Sequence, residues 1–236
     1  MRRLVLADVH GAYKALLQVL ERASYNPKKD ELILLGDLTD GWPESAQVVD
    51  YLSKLPRVTW VLGNHDQFCL DWLSKGYTPH IWTSQGGKAT IKSYEGSTSK
   101  QRDKHLAFFL KTVPYHIDKD NNLFVHGGFN WHIPIEKQDV YSLTWDRNLF
   151  AVAHMWQNAS NKKQADYTVK AYKEVFIGHT TTSRSDPELR PVHVSNVWCL
   201  DQGAGWEGKL TCLDVVTKEF WQSDIVSTLY PEEKGR

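Results

Sequence analysis

The sequence predicts an α/β fold whose ligand site lies at the carboxyl ends of neighbouring strands. Three observations predict it. Residues 3–7, 31–37 and 57–65 are apolar runs of strand length. The stretches between them repeat their apolar residues at helical spacing. Each run also ends on or just before a polar residue: Asp8, Asp37 or Asn64. Strand–helix–strand–helix–strand with connections of this length implies parallel neighbours and right-handed crossovers. In open sheets of that kind ligands bind outside the strand carboxyl ends.

Element by element, residues 12–23 set Leu16, Leu17, Val19, Leu20 and Ala23 at the spacing of one helical face. Pro43 suits the first turn of a second helix reaching about Leu55, with Val48, Val49 and Leu52 on one side. Residues 66–120 read as mostly helical, with Gly/Ser breaks near 85–88 and 96–100 and an amphipathic helix over 101–112. They form either a cap over the site or a plain helical insertion. Residues 122–128 and 174–180 return to strand and carry His126 and His179 at their ends. Residues 136–172 are polar and carry no clear period. The tail, with short β runs in 193–201 and 209–222, reads as an antiparallel meander. No repeat, low-complexity tract or linker divides residues 1–236, so one domain is expected.

Charge is balanced, with 28 Lys plus Arg against 28 Asp plus Glu. A protein that lives on nucleic acid or an anionic membrane usually carries a basic excess, and this one does not. Bound cations could still supply positive charge for a phosphorylated ligand. Cys69, Cys199 and Cys212 form no CxxC pair, which argues against a disulfide framework or a zinc–thiolate site. The apolar run after the first residues is too short for a signal core, and nothing approaches the ~20 apolar residues of a membrane span. A soluble, cytoplasmic protein is expected. The ten Trp read first as core and rim side chains.

Five segments carry the chemistry: ADVHG (7–11), GDLTDG (36–41), GNHD (63–66), VHGG (125–128) and IGHT (177–180). Each sets Asp, Asn or His beside Gly at a strand end. Taken singly, such residues are ordinary caps and turns. Five in order, each after its own apolar run, form a constellation. Carboxylate and amide oxygens mixed with imidazoles suit Mn, Fe or Zn and differ from an all-oxygen calcium cage. Two cations ~3.5–4 Å apart need a bridging anion, and Asp37 is the natural candidate.

The ordered set resembles the calcineurin-like metallophosphoesterase superfamily. Within it, the chain is similar to the phosphoprotein phosphatase branch, which includes bacterial and bacteriophage-lambda-type protein phosphatases and diadenosine tetraphosphatases. The closing DQGAGWEGKLTCLDV (201–215) resembles the final strands of the bacterial members. The resemblance implies a sandwich of mixed β-sheets flanked by helices, and two divalent metal ions, Mn first and Fe or Zn as alternatives. It assigns Asp8 and His10 to one metal, Asp37 to both, and Asn64, His126 and His179 to the other. Asn64 is also expected to touch the substrate phosphate. The implied reaction is in-line attack by a metal-bridging hydroxide on a phosphorylated protein or small molecule. His65 is the implied general acid, its ring held by Asp40. Thr181 stands where many non-phosphatase members carry a second His.

One departure matters. Gly41 and Trp42 follow Asp40, where the branch usually carries a phosphate-binding Arg. Arg147, in LTWDRN, resembles a second phosphate-binding Arg of bacterial members; a surface ion pair with Asp146 is its ordinary alternative. Arg184 is a weaker substitute. Phosphomonoester hydrolysis leads the functional expectations. Cleavage of dinucleoside polyphosphates or phosphodiesters is the alternative, with Trp42, Trp131 and Trp206 available to stack a base. A metal-bound scaffold without turnover comes last, because the Asp40–His65 pair is intact.

Overall fold

A computed structural model describes residues 1–157, 169–183 and 186–236. The alternation of side chains along the short strands explains its layering. In β1 (Arg3–Leu6), Leu4 and Leu6 join one apolar cluster while Val5 joins another. β2 (Glu31–Leu34) repeats the pattern, with Leu32 and Leu34 on one side and Ile33 on the other. A strand apolar on both faces must be covered on both. Here one face meets helices and the other meets a second sheet.

The first sheet adds β3 (Val58–Trp60), β9 (Thr211–Asp214) and β10 (Phe220–Gln222), in the order β10–β9–β1–β2–β3. β1, β2 and β3 run parallel, and β9 lies antiparallel to β1. The second sheet holds β4 (Tyr115–Ile117), β5 (Leu123–Val125), β6 (Val175–Ile177), β7 (Val192–Val194) and β8 (Val197–Cys199), ordered β4–β5–β6–β8–β7. β5, β6 and β8 are parallel. Between the sheets lie Val5, Ile33, Val61, Phe124, Phe176 and Leu213, with the rings of Phe124 and Phe176 stacked 4.9 Å apart. Full burial of each ring contributes roughly 1.5–3 kcal/mol.

Helices close the outer faces. α1 (Tyr13–Arg22) buries Ala15, Leu16, Val19 and Leu20, and α2 (Ser45–Leu52) buries Val48, Val49 and Leu52 in the same cluster. α3 (Asn64–Lys75) stops at Gly76, whose φ of 69° suits a left-handed helix end. α4 (His80–Trp82), α5 (Lys88–Ser93) and α6 (Ser99–Phe109) follow, and Trp82 and Phe109 join the core beside β1. α7 (Val140–Trp145) and α8 (Asn148–Gln157) bury Leu143, Leu149 and Phe150 on the second sheet, and the short α9 (Val226–Leu229) packs near α1.

Three sequence expectations change. The third strand ends at Trp60, and Asn64 and His65 open α3 rather than closing the strand. Residues 66–120 end in a strand, β4. The tail is not one meander. β7 and β8 form a hairpin in the second sheet, while β9 and β10 form another in the first. The physical reason is that β6 and β1 each had one unpaired edge, which β8 and β9 cover. The turn through residues 201–208 carries the chain from one sheet to the other. Part of the unassigned 136–172 stretch forms α7 and α8; residues 158–168 and Arg184 lie outside the described residues. Among the described residues, no helix is long and apolar enough to cross a membrane. The three cysteines are buried and free.

Candidate metal centre

The carboxyl ends of the parallel strands of both sheets meet at one rim, and every strand-end residue singled out in the sequence lies there. Asp8 and His10 follow β1, Asp37 and Asp40 follow β2, and Asn64 and His65 begin the helix after β3. His126 follows β5 and His179 follows β6. All eight are buried. Arg147, exposed between α7 and α8, reaches the same rim and donates from Nη2 to the His179 carbonyl at 3.4 Å.

The backbone here is bent in an unusual way. Asp8, His10, Asp37, Asp40 and His179 all have φ between 49° and 75°. Non-glycine residues avoid this region at a cost of roughly 1–2 kcal/mol each. The surrounding packing has to hold them there, and strain of this kind gathers at functional sites. Two glycines make the approach possible. A Cβ on Gly63 would lie 2.2 Å from Asp37 Oδ1, and one on Gly178 would lie 2.1 Å from Asp8 Oδ1. In their place, the His65 N–H donates to Asp37 Oδ1 at 2.9 Å and the His179 N–H donates to Asp8 Oδ2 at 3.0 Å.

The donor atoms converge in two groups that share Asp37. Asp8, His10 and Asp37 offer atoms within 4.8 Å of one another, and so do Asp37, His126 and His179. Asp37 Oδ2 is 3.4 Å from His126 Nε2 and 3.8 Å from His10 Nε2. His10 Nδ1 donates to the carbonyls of Thr39 and Asp40, both at 3.1 Å, and His126 Nδ1 donates to the Leu35 carbonyl at 2.6 Å. With those ring nitrogens committed to the backbone, each Nε2 faces inward with its lone pair. Asn64 Oδ1 sits 3.0 Å from His126 Nε2. Two acceptors at that distance need a proton or a cation between them.

The electrostatics ask for a cation. Burial, with Asp201 and Asp37 nearby, raises Asp8 well above the usual carboxylate range. Burial opposes ionisation of Asp37 as well, but His126, His65 and His10 around it hold its pKa well below normal. Burial works to lower His126, yet Asp37, Asp8 and the Leu35 carbonyl outweigh it and carry the ring to about 9. His179 is pushed down to about 2 by burial and by His126. Asp37 Oδ2 and His179 Nε2 are buried without a hydrogen-bond partner. Buried orphan lone pairs are costly unless a ligand completes them. Mixed carboxylate, amide and imidazole donors with such orphans fit divalent transition-metal ions.

His65 is set apart from these groups. Its Nδ1 lies 2.7 Å from Asp40 Oδ2, and its Nε2 is buried with no partner. Asp40 is itself held from behind, by Trp82 Nε1 at 2.7 Å and by the Thr90 hydroxyl at 2.6 Å. Residues 66–120 thus deliver Trp82 and Thr90 to the buried side of the pair.

Four residues escaped the sequence reading. Trp82 and Thr90 are two. Asp201, buried after β8 and pushed up to about 6 chiefly by burial, lies just past a strand end two residues before Gly203 and could have been found by much the same rule as the others. Asp66 stands inside the quoted GNHD segment. It accepts from the N–H groups of Leu38 and Gly63 and from Trp60 Nε1, tying two site loops together. Of the three tryptophans offered for base stacking, Trp42 is excluded. It is buried against Tyr230, and its Nε1 donates to the Ala204 carbonyl. Trp131 packs on Trp156 and against the core of the second sheet. Trp206 is 37% exposed, with its ring 6.1 Å from that of His10.

Such a donor set, on two stacked mixed sheets between helices, defines the class of metal-dependent phosphoesterases. The chain belongs to the calcineurin-like phosphoesterase family, whose model matches residues 1–204. It is 38% identical to the symmetrical bis(5'-nucleosyl)-tetraphosphatase of Coxiella burnetii, over 94% of this chain and 92% of that one. It is 24% identical to serine/threonine-protein phosphatase 1 of Salmonella typhimurium over 88% of both chains. A 62-residue stretch is 48% identical to the Buchnera aphidicola tetraphosphatase, covering 26% of this chain but only 23% of that enzyme. Among solved structures, the cold-active protein-tyrosine phosphatase of a psychrophilic Shewanella shares the fold. It has a TM-score of 0.61 at 16% identity, covering 94% of this chain and 77% of that one.

Proposed function

We propose that the chain is a two-metal phosphomonoesterase acting on phosphoproteins or small phosphorylated molecules. The observation that carries this reading is the unpartnered, buried Nε2 of His65, backed by Asp40. An alkoxide leaving group is a strong base and needs a proton as it departs, which His65 would donate in this reading. Asp8, His10 and Asp37 would hold one metal; Asp37, Asn64, His126 and His179 would hold the other. Manganese suits this mixture of donors, with Fe or Zn as alternatives. Two such ions would supply Lewis-acid stabilisation of the phosphoryl oxygens and would lower the pKa of an attacking water to near neutrality.

The remaining work falls to the chain. Asp40 fixes the His65 ring, while Trp82 and Thr90 fix Asp40. Arg147 and the Asn64 amide bind phosphate oxygens. Residues 1–236 act as one domain in this reading, since strands from both ends of the chain build the first sheet. Free buried thiols fit a reducing cytoplasm.

A second reading, cleavage of dinucleoside polyphosphates, is favoured by a cleft of about 490 Å³ lined by Thr181, Ser183, Leu189 and Trp206. That volume falls within the range of small-ligand sites, and the exposed Trp206 ring offers a stacking face. The Coxiella relative supports the same reading.

The test is a panel assayed with Mn: alkyl and aryl monophosphates, phosphopeptides, dinucleoside tetraphosphates and an aryl diester. The first reading expects turnover of alkyl monophosphates or phosphopeptides. Hydrolysis confined to dinucleoside tetraphosphates would put the second in its place.

A further inference from the structure

Arg236 reaches the metal centre from the far end of the sequence. The stretch after α9 is pinned by Tyr230, which stacks on Trp42 at 5.1 Å and accepts from the Lys14 N–H at 2.9 Å. Further on, the Arg236 N–H donates to the Gly205 carbonyl at 2.8 Å. This places the guanidinium 4.7 Å from the centroid of the Trp206 ring and Nη1 3.2 Å from His10 Nε2. Nε is buried and unpartnered. Among the described residues, the guanidinium's close side-chain contacts are that ring and that imidazole, and the buried Asp201 feels its charge without forming an ion pair with it. The space it fills is opened by Gly41, where a Cβ would meet Arg236 Cγ at 3.0 Å.

An arginine without an ion-paired carboxylate is poorly served by an imidazole lone pair. That lone pair is also one a metal would claim. A guanidinium and a divalent cation beside the same His10 repel each other unless an anion lies between them. The groups the site handles are phosphoryl oxygens, for which a planar guanidinium is the best-matched side chain. Trp206 holds the guanidinium through its ring face and takes up none of its N–H groups.

We propose that Arg236 is a substrate-binding residue that takes a phosphoryl oxygen of the substrate, at the position left open by Gly41. This rests on the phosphoesterase reading of the same site. The test compares wild type with Arg236→Ala and Arg236→Lys in three measurements: Mn content, calorimetric binding of inorganic phosphate to the Mn-loaded protein, and KM and kcat for an aryl phosphate. Arg236→Ala is expected to keep its metal and weaken phosphate binding on the order of 10–100-fold, with KM rising more than kcat falls. Arg236→Lys should recover part of the loss, because it restores charge without the fork. Unchanged phosphate affinity in a metal-loaded Arg236→Ala protein overturns the proposal. So does a gain in metal affinity with no loss of phosphate binding, which would make Arg236 a plug on the metal site. A wild type that takes up no metal and hydrolyses nothing overturns the phosphoesterase reading as well. An active wild type with an indifferent Arg236→Ala variant overturns this proposal alone.

Discussion

Asp40 Oδ2 lies 2.7 Å from Nδ1 of His65, and the other ring nitrogen of that histidine is buried and unpartnered. The pair is itself fully buried, so its geometry is enforced by packing rather than by chance contact at a surface. His65→Ala should retain both metals and lose on the order of 10²–10⁴ in kcat with an alkyl phosphate, and less with an activated aryl phosphate. The measurement is steady-state kinetics on the two leaving groups. Equal losses on both would remove proton donation from His65.

The support behind the pair is separately testable. Trp82→Phe deletes one donor to Asp40 and Thr90→Val deletes another, each leaving a buried carboxylate short of a hydrogen bond. Each change should cost about 1–3 kcal/mol in stability, read from denaturant unfolding. Turnover of an alkyl phosphate should fall on the order of tenfold, with metal content kept. Stability lost without any change in leaving-group dependence would confine Trp82 and Thr90 to the core.

Among the described residues, Asp37 is the carboxylate common to both donor groups. Asp37→Asn keeps the shape and removes the charge that two cations would share. Elemental analysis after dialysis should find less than the full complement of metal, and activity should fall with it. Full occupancy in this variant would contradict a bridging role.

The centre was legible in outline because its parts obey local rules. Asp8, Asp37, His126 and His179 each follow an apolar run, and Asp37, His126 and His179 also have a glycine next to them in the chain. The rest depends on partners distant in sequence. Nothing near Asp40 announces that Trp82, 42 residues on, will donate to it, or that Thr90 will do the same. His10 meets Arg236 across 226 residues. The tail misled for a related reason: a hairpin's own residues do not say which sheet it joins. β9 pairs with β1 at the opposite end of the chain. Asn64 read as a strand end because the apolar run continues past Trp60, although Val61 makes only an isolated bridge to Val113 and Leu62 and Gly63 lead into α3.

Arg147 stands exposed at the rim, bonded only weakly to the His179 carbonyl at 3.4 Å, which leaves its fork free for a ligand. Arg147→Ala should raise KM for monophosphates on the order of tenfold and leave the metal content alone. An unchanged KM would assign it to the surface.

Stability should also fall in mild acid through a residue outside the site. His105 is buried between the Tyr94 hydroxyl, 3.0 Å from Nδ1, and Asp50, 3.5 Å from Nε2. Burial lowers its pKa below the ordinary histidine value, against the opposing pull of Asp50. The unfolded chain therefore takes up a proton near pH 6.5 that the folded chain refuses until the pH is lower. The unfolded state binds more protons in that window, so stability is full above about pH 6.5 and is lost as pH drops through it toward the folded value. His105→Gln can keep a bond to Tyr94 but cannot titrate. Thermal melts from pH 7.5 to 5 should show the wild type losing Tm more steeply than this variant. Parallel curves would mean that His105 is not the group responsible.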